Sequence, residues 1–364
     1  MADLERIFVQ FETQGSPVSI TPFGSGHIHD SYRVTTAEED LPDYLMQKVN
    51  SLVFRRVTSM MENIERVTQH MRNKLRKAGV ADIHRSVLRV IPTSRGLSYY
   101  IDDQDQYWRM YLFIDNAYSF EKPENGEQAF EAGASLGRFQ QHLIDLPGKK
   151  LHETIPHFHN MKRRFRSFNK VIKQDPVDRL KYVEEEVRFA LRRKEEMNMI
   201  TELGKGGFLP LRVTHNDTKF NNLLFDERGK ALTWVDLDTV MPGYVHYDFG
   251  DAVRSLANTG KEDETDISNL SFNFSYYETF CEGYLGEMVS LLTPIELIHL
   301  AFSPKMMTFI MGLRFLTDFI AGDVYYKTSF PDQNLFRCRS QFSLLRQMDE
   351  AFEEMKRVVE SGMF

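Results

Sequence analysis

The sequence predicts an α+β fold in two lobes: a small N-terminal antiparallel sheet with one helix, then a larger, mainly helical C-terminal lobe. Three observations predict it. A chain of 364 residues is too long for one ordinary core. Its first third carries short strand-like runs punctuated by glycine and proline. Beyond that, apolar residues recur every three or four positions.

Residues 3–12 read as a short amphipathic helix. Segments 19–23 and 31–35 read as strands on either side of Gly24-Ser25-Gly26-His27-Ile28-His29-Asp30, and Tyr44–Val49 as the next strand. Met60, Ile64, Val67, Met71 and Leu75 mark a helix over 57–77. Strands around Ser98–Ile101 and Trp108–Phe113 complete the small lobe. Ile114-Asp115-Asn116 reads as the connector, which sets the expected lobes at 1–113 and 114–364. Helical patterns follow at 127–146 and 177–197. A strand-rich segment at 213–240 interrupts them, and helices resume at 270–290, 294–321 and 338–361.

The net charge of −7 argues against a nucleic-acid surface. Two cysteines, Cys281 and Cys338, offer neither a zinc site nor a disulfide framework and read as small buried residues. No uncharged apolar stretch reaches membrane-spanning length, and the N-terminus lacks the basic start and apolar run of a signal peptide. A cytoplasmic protein, monomeric or weakly dimeric, is expected.

The informative segment is His215-Asn216-Asp217-Thr218-Lys219-Phe220-Asn221-Asn222, with Asp236 fourteen positions later. Between them lies a hairpin: 223–225 outward, a turn through Asp226-Glu227-Arg228-Gly229, and 231–235 back. Antiparallel pairing puts Asn222 and Asp236 at the same open end, where directly opposed residues lie about 4.5–5.5 Å apart. An amide oxygen and a carboxylate at that separation can share one hard cation. A carboxylate to accept a proton (Asp217) and two oxygen ligands for Mg2+ (Asn222, Asp236) are the parts that phosphoryl transfer from ATP requires. A lone Asp in a polar loop is usually a turn residue. The His-x-Asp-x-x-x-x-Asn spacing, with a hairpin and a second Asp behind it, favours the catalytic reading.

His215 reads as a brace for the loop rather than a reactant. Asp238, one strand period beyond Asp236, is a candidate contact for substrate or metal. Residues 248–250 spell Asp-Phe-Gly, but they lie beyond the hairpin and open a helix. Asp248 is therefore read as a structural cap or loop brace. Gly24, Ser25 and Gly26 are candidate phosphate contacts, although most such turns are simply tight. A cation for the phosphates is expected on the third strand. There Gln47 and Lys48 adjoin on opposite faces, so only one can face the nucleotide. Asp115, in the connector, is also counted with the nucleotide contacts. Lys219 reads equally as a phosphate contact or an exposed loop lysine. Glu62 and Glu65 are candidate partners for a lysine. His152, His157 and His159 match no standard ligand spacing. Arg314, on an otherwise apolar helix, needs a polar partner: either Asp318 one turn on, or an anionic oxygen in the cleft. Tyr325 and Tyr326, with nearby carboxylates, suit a sugar.

Five segments carry a resemblance to a known family. They are Pro22 to Ile28, Gln47-Lys48-Val49-Asn50, Arg212 to Lys219, Asp236-Leu237-Asp238-Thr239-Val240-Met241-Pro242-Gly243 and Gly312-Leu313-Arg314-Phe315-Leu316. Over about residues 7–350 the chain resembles bacterial N-acetylhexosamine 1-kinases, of the aminoglycoside-phosphotransferase and choline-kinase superfamily. The resemblance implies a protein-kinase-like fold. It also implies ATP- and Mg2+-dependent transfer to the anomeric hydroxyl of N-acetylglucosamine or N-acetylgalactosamine. By that likeness Asp217 is the base, Asn222 and Asp236 hold metal, and Arg314 lies in the sugar pocket; Asp238 and Tyr325 are further candidate substrate contacts by position and residue type alone. Gln47 stands where related kinases carry lysine. The competing readings are a kinase of an amino alcohol or aminoglycoside, and an inactive nucleotide-binding module.

Overall fold

A computed structural model describes residues 2–24, 28–38 and 40–363. The first lobe is built on a five-stranded antiparallel sheet: β1 (Pro17–Pro22), β2 (Asp30–Thr36), β3 (Tyr44–Val49), β4 (Tyr100–Ile101) and β5 (Tyr107–Leu112), in spatial order β1-β2-β3-β5-β4. Alternation along β3 sorts its side chains between two layers. Tyr44 and Met46 join Phe8, Phe11, Val34, Trp108 and Met110 on the outer face, under the N-terminal helix Ala2–Phe8. Val49 and Tyr111 face the other way, against the helix Val57–Lys77.

That helix buries Met60, Met61, Ile64, Val67, Met71 and Leu75 along one stripe and ends on Lys74, Arg76 and Lys77, which complement its C-terminal dipole. Each such side chain stabilises by roughly 1.5–3 kcal/mol. Asn63 sits on the same buried stripe and is fully used. Its amide donates to the carbonyls of His152 at 2.8 Å and Val240 at 2.9 Å, and its oxygen accepts from His152 N at 2.9 Å. The helix is thereby tied to both segments that border the cleft.

Helices make up most of the remainder. Gly126–Leu143 and Phe274–Met288 cross backbone to backbone. A Cβ at Gly133 would lie 2.1 Å from the Phe280 carbonyl, and one at Gly283 would lie 2.2 Å from the Phe130 carbonyl. Glycine at both crossings is therefore a packing requirement. A second apolar cluster joins the helices Met161–Gln174, Ser303–Ala321 and Gln333–Glu350. The periodicity above does not predict the helix Met161–Gln174. Its apolar positions Met161, Phe165 and Phe168 are buried in a helix whose other residues are mostly basic or polar, and its start is set by Asn160 accepting from Arg163 N. The single helix expected over 177–197 is broken into a 3-10 turn at Leu180–Tyr182 and helices Glu184–Arg192 and Lys194–Met197. Asp178 is left-handed there, and the Asp175 carboxylate holds Arg179 N and Leu180 N in a turn.

Two short ribbons interrupt the helices and carry the site: β6 (Arg212–Thr214) with β9 (Met241–Gly243), and β7 (Leu223–Phe225) with β8 (Ala231–Trp234). The connector runs along the outer edge of the second ribbon, with Tyr118 and Phe225 exchanging backbone bonds at 2.9 and 2.8 Å. Among the described residues no helix is long and apolar enough to cross a membrane.

Candidate active site

The loop from His215 to Asn222 leaves β6 and enters β7, and its shape is held by side-chain acceptors for the backbone donors of His215, Asn216, Asp217 and Phe220. Asn216 is left-handed (φ 66°), a conformation Asn tolerates better than most residues. Its amide bridges the carbonyls of Thr214 at 3.1 Å and Thr239 at 3.0 Å. Beneath the loop lies Asp248. Its carboxylate accepts from His215 N at 3.0 Å, Asn216 N at 2.7 Å and Gln140 Nε2 at 3.1 Å, and its carbonyl accepts from Thr218 Oγ1 at 2.6 Å. Asp248 is the brace of the loop. It is not a helix cap, because it lies inside the first turn of Val245–Leu256 and caps nothing.

His215 also braces. Its Nδ1 accepts from Asp217 N at 3.3 Å, so Nε2 carries the proton and donates to Val235 O at 2.9 Å. The ring is packed between Phe139 and Trp234.

This scaffold presents Asp217. Asn222 donates to its carbonyl at 2.9 Å and to its Oδ2 at 3.2 Å, and Lys219 Nζ stands 3.5 Å from the same oxygen. Burial pushes the Asp217 carboxyl up, but Lys219, His215, Arg254 and Asn222 together hold it below the ordinary value. Asp217 is therefore ionised at neutral pH and ready to accept a proton.

The hairpin register differs by one residue from the sequence expectation. Leu223 opposes Trp234, and Val235 N donates to Asn222 O at 2.8 Å, so Asn222 stands opposite Val235 rather than Asp236. Asp236 follows in the left-handed region (φ 60°, ψ 56°), where the chain turns out of the strand. The two residues still share the open end. Burial, then Asp238 and Asp217, push the Asp236 carboxyl up to about 6. Crowded carboxylates with that penalty are a donor set that a hard divalent cation would relieve, so the residues present fit Mg2+.

Asp238 is buried, and both its oxygens are engaged. Arg109 on β5 meets them with both terminal nitrogens, Nη1 on Oδ1 and Nη2 on Oδ2 at 3.1 Å. His29 Nε2 adds a bond to Oδ2 at 2.5 Å. His29 Nδ1 accepts from Asn50 N at 3.0 Å, so Nε2 bears the proton and donates. His29, Asp236 and Asp238 are the one His/Cys/Asp/Glu grouping among the described residues compact enough for a metal. The proton on His29 and the arginine on Asp238 leave Asp236 as its available ligand.

The strand question resolves by alternation. Gln47 faces the cleft side: Arg109 Nε donates to its Oε1 at 3.0 Å, and its amide donates to Ser31 Oγ at 2.8 Å. Lys48 opposes Trp108 and Asp30, on the other face of β3 from Gln47. Arg109 escaped the sequence reading because the signal is a cross-strand register, Gln47 opposite Arg109, and no spacing along the chain reveals it. Gly24 is left-handed (φ 79°) with open space at its Cβ position. Ser25, Gly26 and His27 lie outside the described residues. Asp115 is partly exposed and pairs with Arg33 at 3.3 Å. Glu62 pairs with His152 and Arg66 rather than a strand lysine. His159 bonds to the Asn216 carbonyl at 3.1 Å, so the three upstream histidines serve separate local roles.

Arg314 does not pair with Asp318. That carboxylate accepts the backbone N–H groups of Val324, Tyr325 and Tyr326 at 2.8–3.0 Å and the Asn334 amide at 3.0 Å. Arg314 instead lies between the rings of Phe158 and Tyr326, 5.3 and 5.4 Å from their centres. It is close enough to Asp217 for the two charges to act on each other. Tyr325 is exposed beside Tyr326, with ring centres 4.8 Å apart.

A sequence model described as the phosphotransferase enzyme family matches residues 19–280. Similar solved structures include a microcompartment-associated aminopropanol kinase (14% identity, TM-score 0.67, 98% of each chain covered). An amicoumacin kinase solved with AMP-PNP and Ca2+ is similar at 15% identity and TM-score 0.62, covering 97% of this chain and 96% of that one. An ethanolamine kinase from Plasmodium vivax is similar at 14% identity and TM-score 0.55, covering 89% and 82%. At these identities the likeness shows a common fold, the protein-kinase-like arrangement of small sheet and helical remainder.

Proposed function

Because the chain belongs to the phosphotransferase enzyme family, we propose that it is an ATP-dependent small-molecule kinase whose acceptor is the anomeric hydroxyl of an N-acetylhexosamine. The observation that carries the kinase reading is the set Asp217, Asn222 and Asp236 at one end of a single loop-and-ribbon unit, with Asn222 bonded to Asp217 and Asp217 felt by Asp236. In this reading residues 1–113 hold the nucleotide and 114–364 supply the catalytic and acceptor groups. Asn222 and Asp236 would hold Mg2+, which when bound neutralises charge on the β- and γ-phosphates. Asp217 orients the acceptor hydroxyl. As the hydroxyl oxygen bonds to the γ-phosphorus, the bond from that phosphorus to the β–γ bridging oxygen breaks and its electron pair leaves with ADP. The hydroxyl proton passes to Asp217. Lys219, beside Asp217 and acting on Asp236, would meet a transferred phosphoryl group in this reading.

The sugar part of the proposal draws on the segments named above, on Arg314, whose charge acts on Asp217, and on the two tyrosines beside Arg314. An ammonium-bearing acceptor would want carboxylates at that position, and the group there is a guanidinium. The test is ADP release from Mg-ATP across N-acetylhexosamines, amino alcohols and aminoglycosides, with the product examined by phosphorus NMR for a phosphate on the anomeric carbon. Turnover confined to the amine classes removes the sugar. Silence across the whole panel removes all three acceptor classes.

A further inference from the structure

Phe158 is the hub of a second group of side chains beside the catalytic loop. Arg314 lies 5.3 Å from its ring centre, and Arg164 Nη2 donates to its carbonyl at 2.5 Å. The neighbouring His159 packs on the same ring at 4.4 Å and bonds at 3.1 Å to the carbonyl of Asn216, the residue before Asp217. Two guanidinium groups thus flank one segment that is itself fastened to the catalytic loop.

Apart from Asp217, whose charge acts on Arg314, the carboxylates around them are committed elsewhere. Asp318 is taken by three backbone amides and Asn334, and Asp323 pairs with Arg179 at 2.5 Å. Glu262 lies between Arg254 at 3.8 Å and Arg337 at 3.9 Å. Among the described residues no carboxylate comes within 4.0 Å of Arg164 or Arg314. Buried donors and acceptors here also lack partners: Arg164 Nε, Tyr326 Oη and His159 Nδ1. His159 is only 5% exposed. Burial, with Arg314 close by, pulls the Arg164 guanidinium down to about 10. Two like charges held partly out of water, one of them with an unfilled hydrogen bond, are costly until an anion completes them. Planar guanidinium forks suit the oxygens of a carboxylate, sulfate or phosphate.

We propose that the acceptor is a sugar carrying an oxyanion, gripped by Arg164 and Arg314 while its hydroxyl meets Asp217; the inference rests on the kinase reading above. Arg164 and Arg314 would act as specificity-determining residues, and an amine in the same place would be repelled.

The test uses the full-length protein with Mg-ATP and compares N-acetylglucosamine with its 6-phosphate, its 6-sulfate and N-acetylmuramic acid, with ethanolamine as the cationic arm. At least one anionic sugar should exceed neutral N-acetylglucosamine by about tenfold or more in kcat/KM, the scale of one charge-assisted hydrogen bond. The arm that wins identifies the oxyanion. Arg164→Gln should erase the preference by raising KM for that sugar while leaving KM for ATP in place. Equal or better use of the neutral sugar overturns the proposal. So does an Arg164→Gln defect confined to ATP, which would assign the arginines to the nucleotide. Should Arg164→Gln fail to fold, the wild-type panel and Arg314→Gln carry the test. If no acceptor yields ADP, calorimetric binding of the same sugars separates the two ideas. Tighter binding of an anionic sugar then keeps the pocket and discards the kinase, and equal binding discards both.

Discussion

Arg109 and Gln47 face each other across β5 and β3, and the Arg109 Nε–H donates to Gln47 Oε1 at 3.0 Å while its terminal nitrogens hold Asp238. The cleft face of the third strand is thus already occupied by a buried cation reached from the next strand. Gln47→Lys would replace the acceptor of Arg109 with a second positive charge. Its expected effect is a loss of roughly 1–3 kcal/mol in stability and no gain in ATP affinity. Urea unfolding and the KM for ATP check it. A variant that binds ATP more tightly at unchanged stability would show that the position lacks only its lysine.

Asp217 stands ionised beside Lys219 with its carbonyl and one oxygen bonded to Asn222. Asp217→Asn keeps the shape and removes the proton acceptor. Turnover should fall by about a hundredfold or more, the range of general-base catalysis, with nucleotide binding by titration calorimetry nearly unchanged. Activity near the wild-type level would refute its assignment as base.

The partners of the Asp248 carboxylate, His215 N, Asn216 N and Gln140 Nε2, are all donors. Asp248→Asn would turn one oxygen into a fourth donor facing donors. Stability should drop by roughly 2–4 kcal/mol, and kcat should fall further than KM for ATP rises, because the loop that carries Asp217 loses its anchor. Steady-state kinetics beside thermal unfolding separate the two effects. Wild-type kcat in a folded variant would mean that the loop holds its shape without the brace.

His159 and His246 are buried neutral, with burial holding their imidazoles down to about 3 and about 4 from 6.5. Below pH 6.5 the unfolded chain takes up protons that the folded protein refuses. Stability is therefore complete above pH 6.5 and falls as the pH drops toward 4, by roughly 1.4 kcal/mol per pH unit for each histidine. His246→Gln should unfold with a shallower pH slope than the wild type between pH 6.5 and 5. Coincident slopes in Tm measured across that window would remove His246 from the account.

Much of the site could be read from the chain because its parts are close in sequence. Asp217, Asn222 and Asp236 belong to one loop and hairpin, so local spacing and strand pairing brought them to a common end. The helix 57–77 could be read for the same reason, since its buried stripe repeats every three or four residues. Asp236 escaped by one residue because a left-handed turn, not strand pleat, sets its direction. Arg109 reaches Asp238 across 129 positions, and Arg164 and Arg314 meet at Phe158 from separate helices. Such partnerships leave no periodic trace, because each depends on how a strand or helix docks. Which carboxylates near Arg164 and Arg314 are already claimed follows from packing, and only the folded chain decides that.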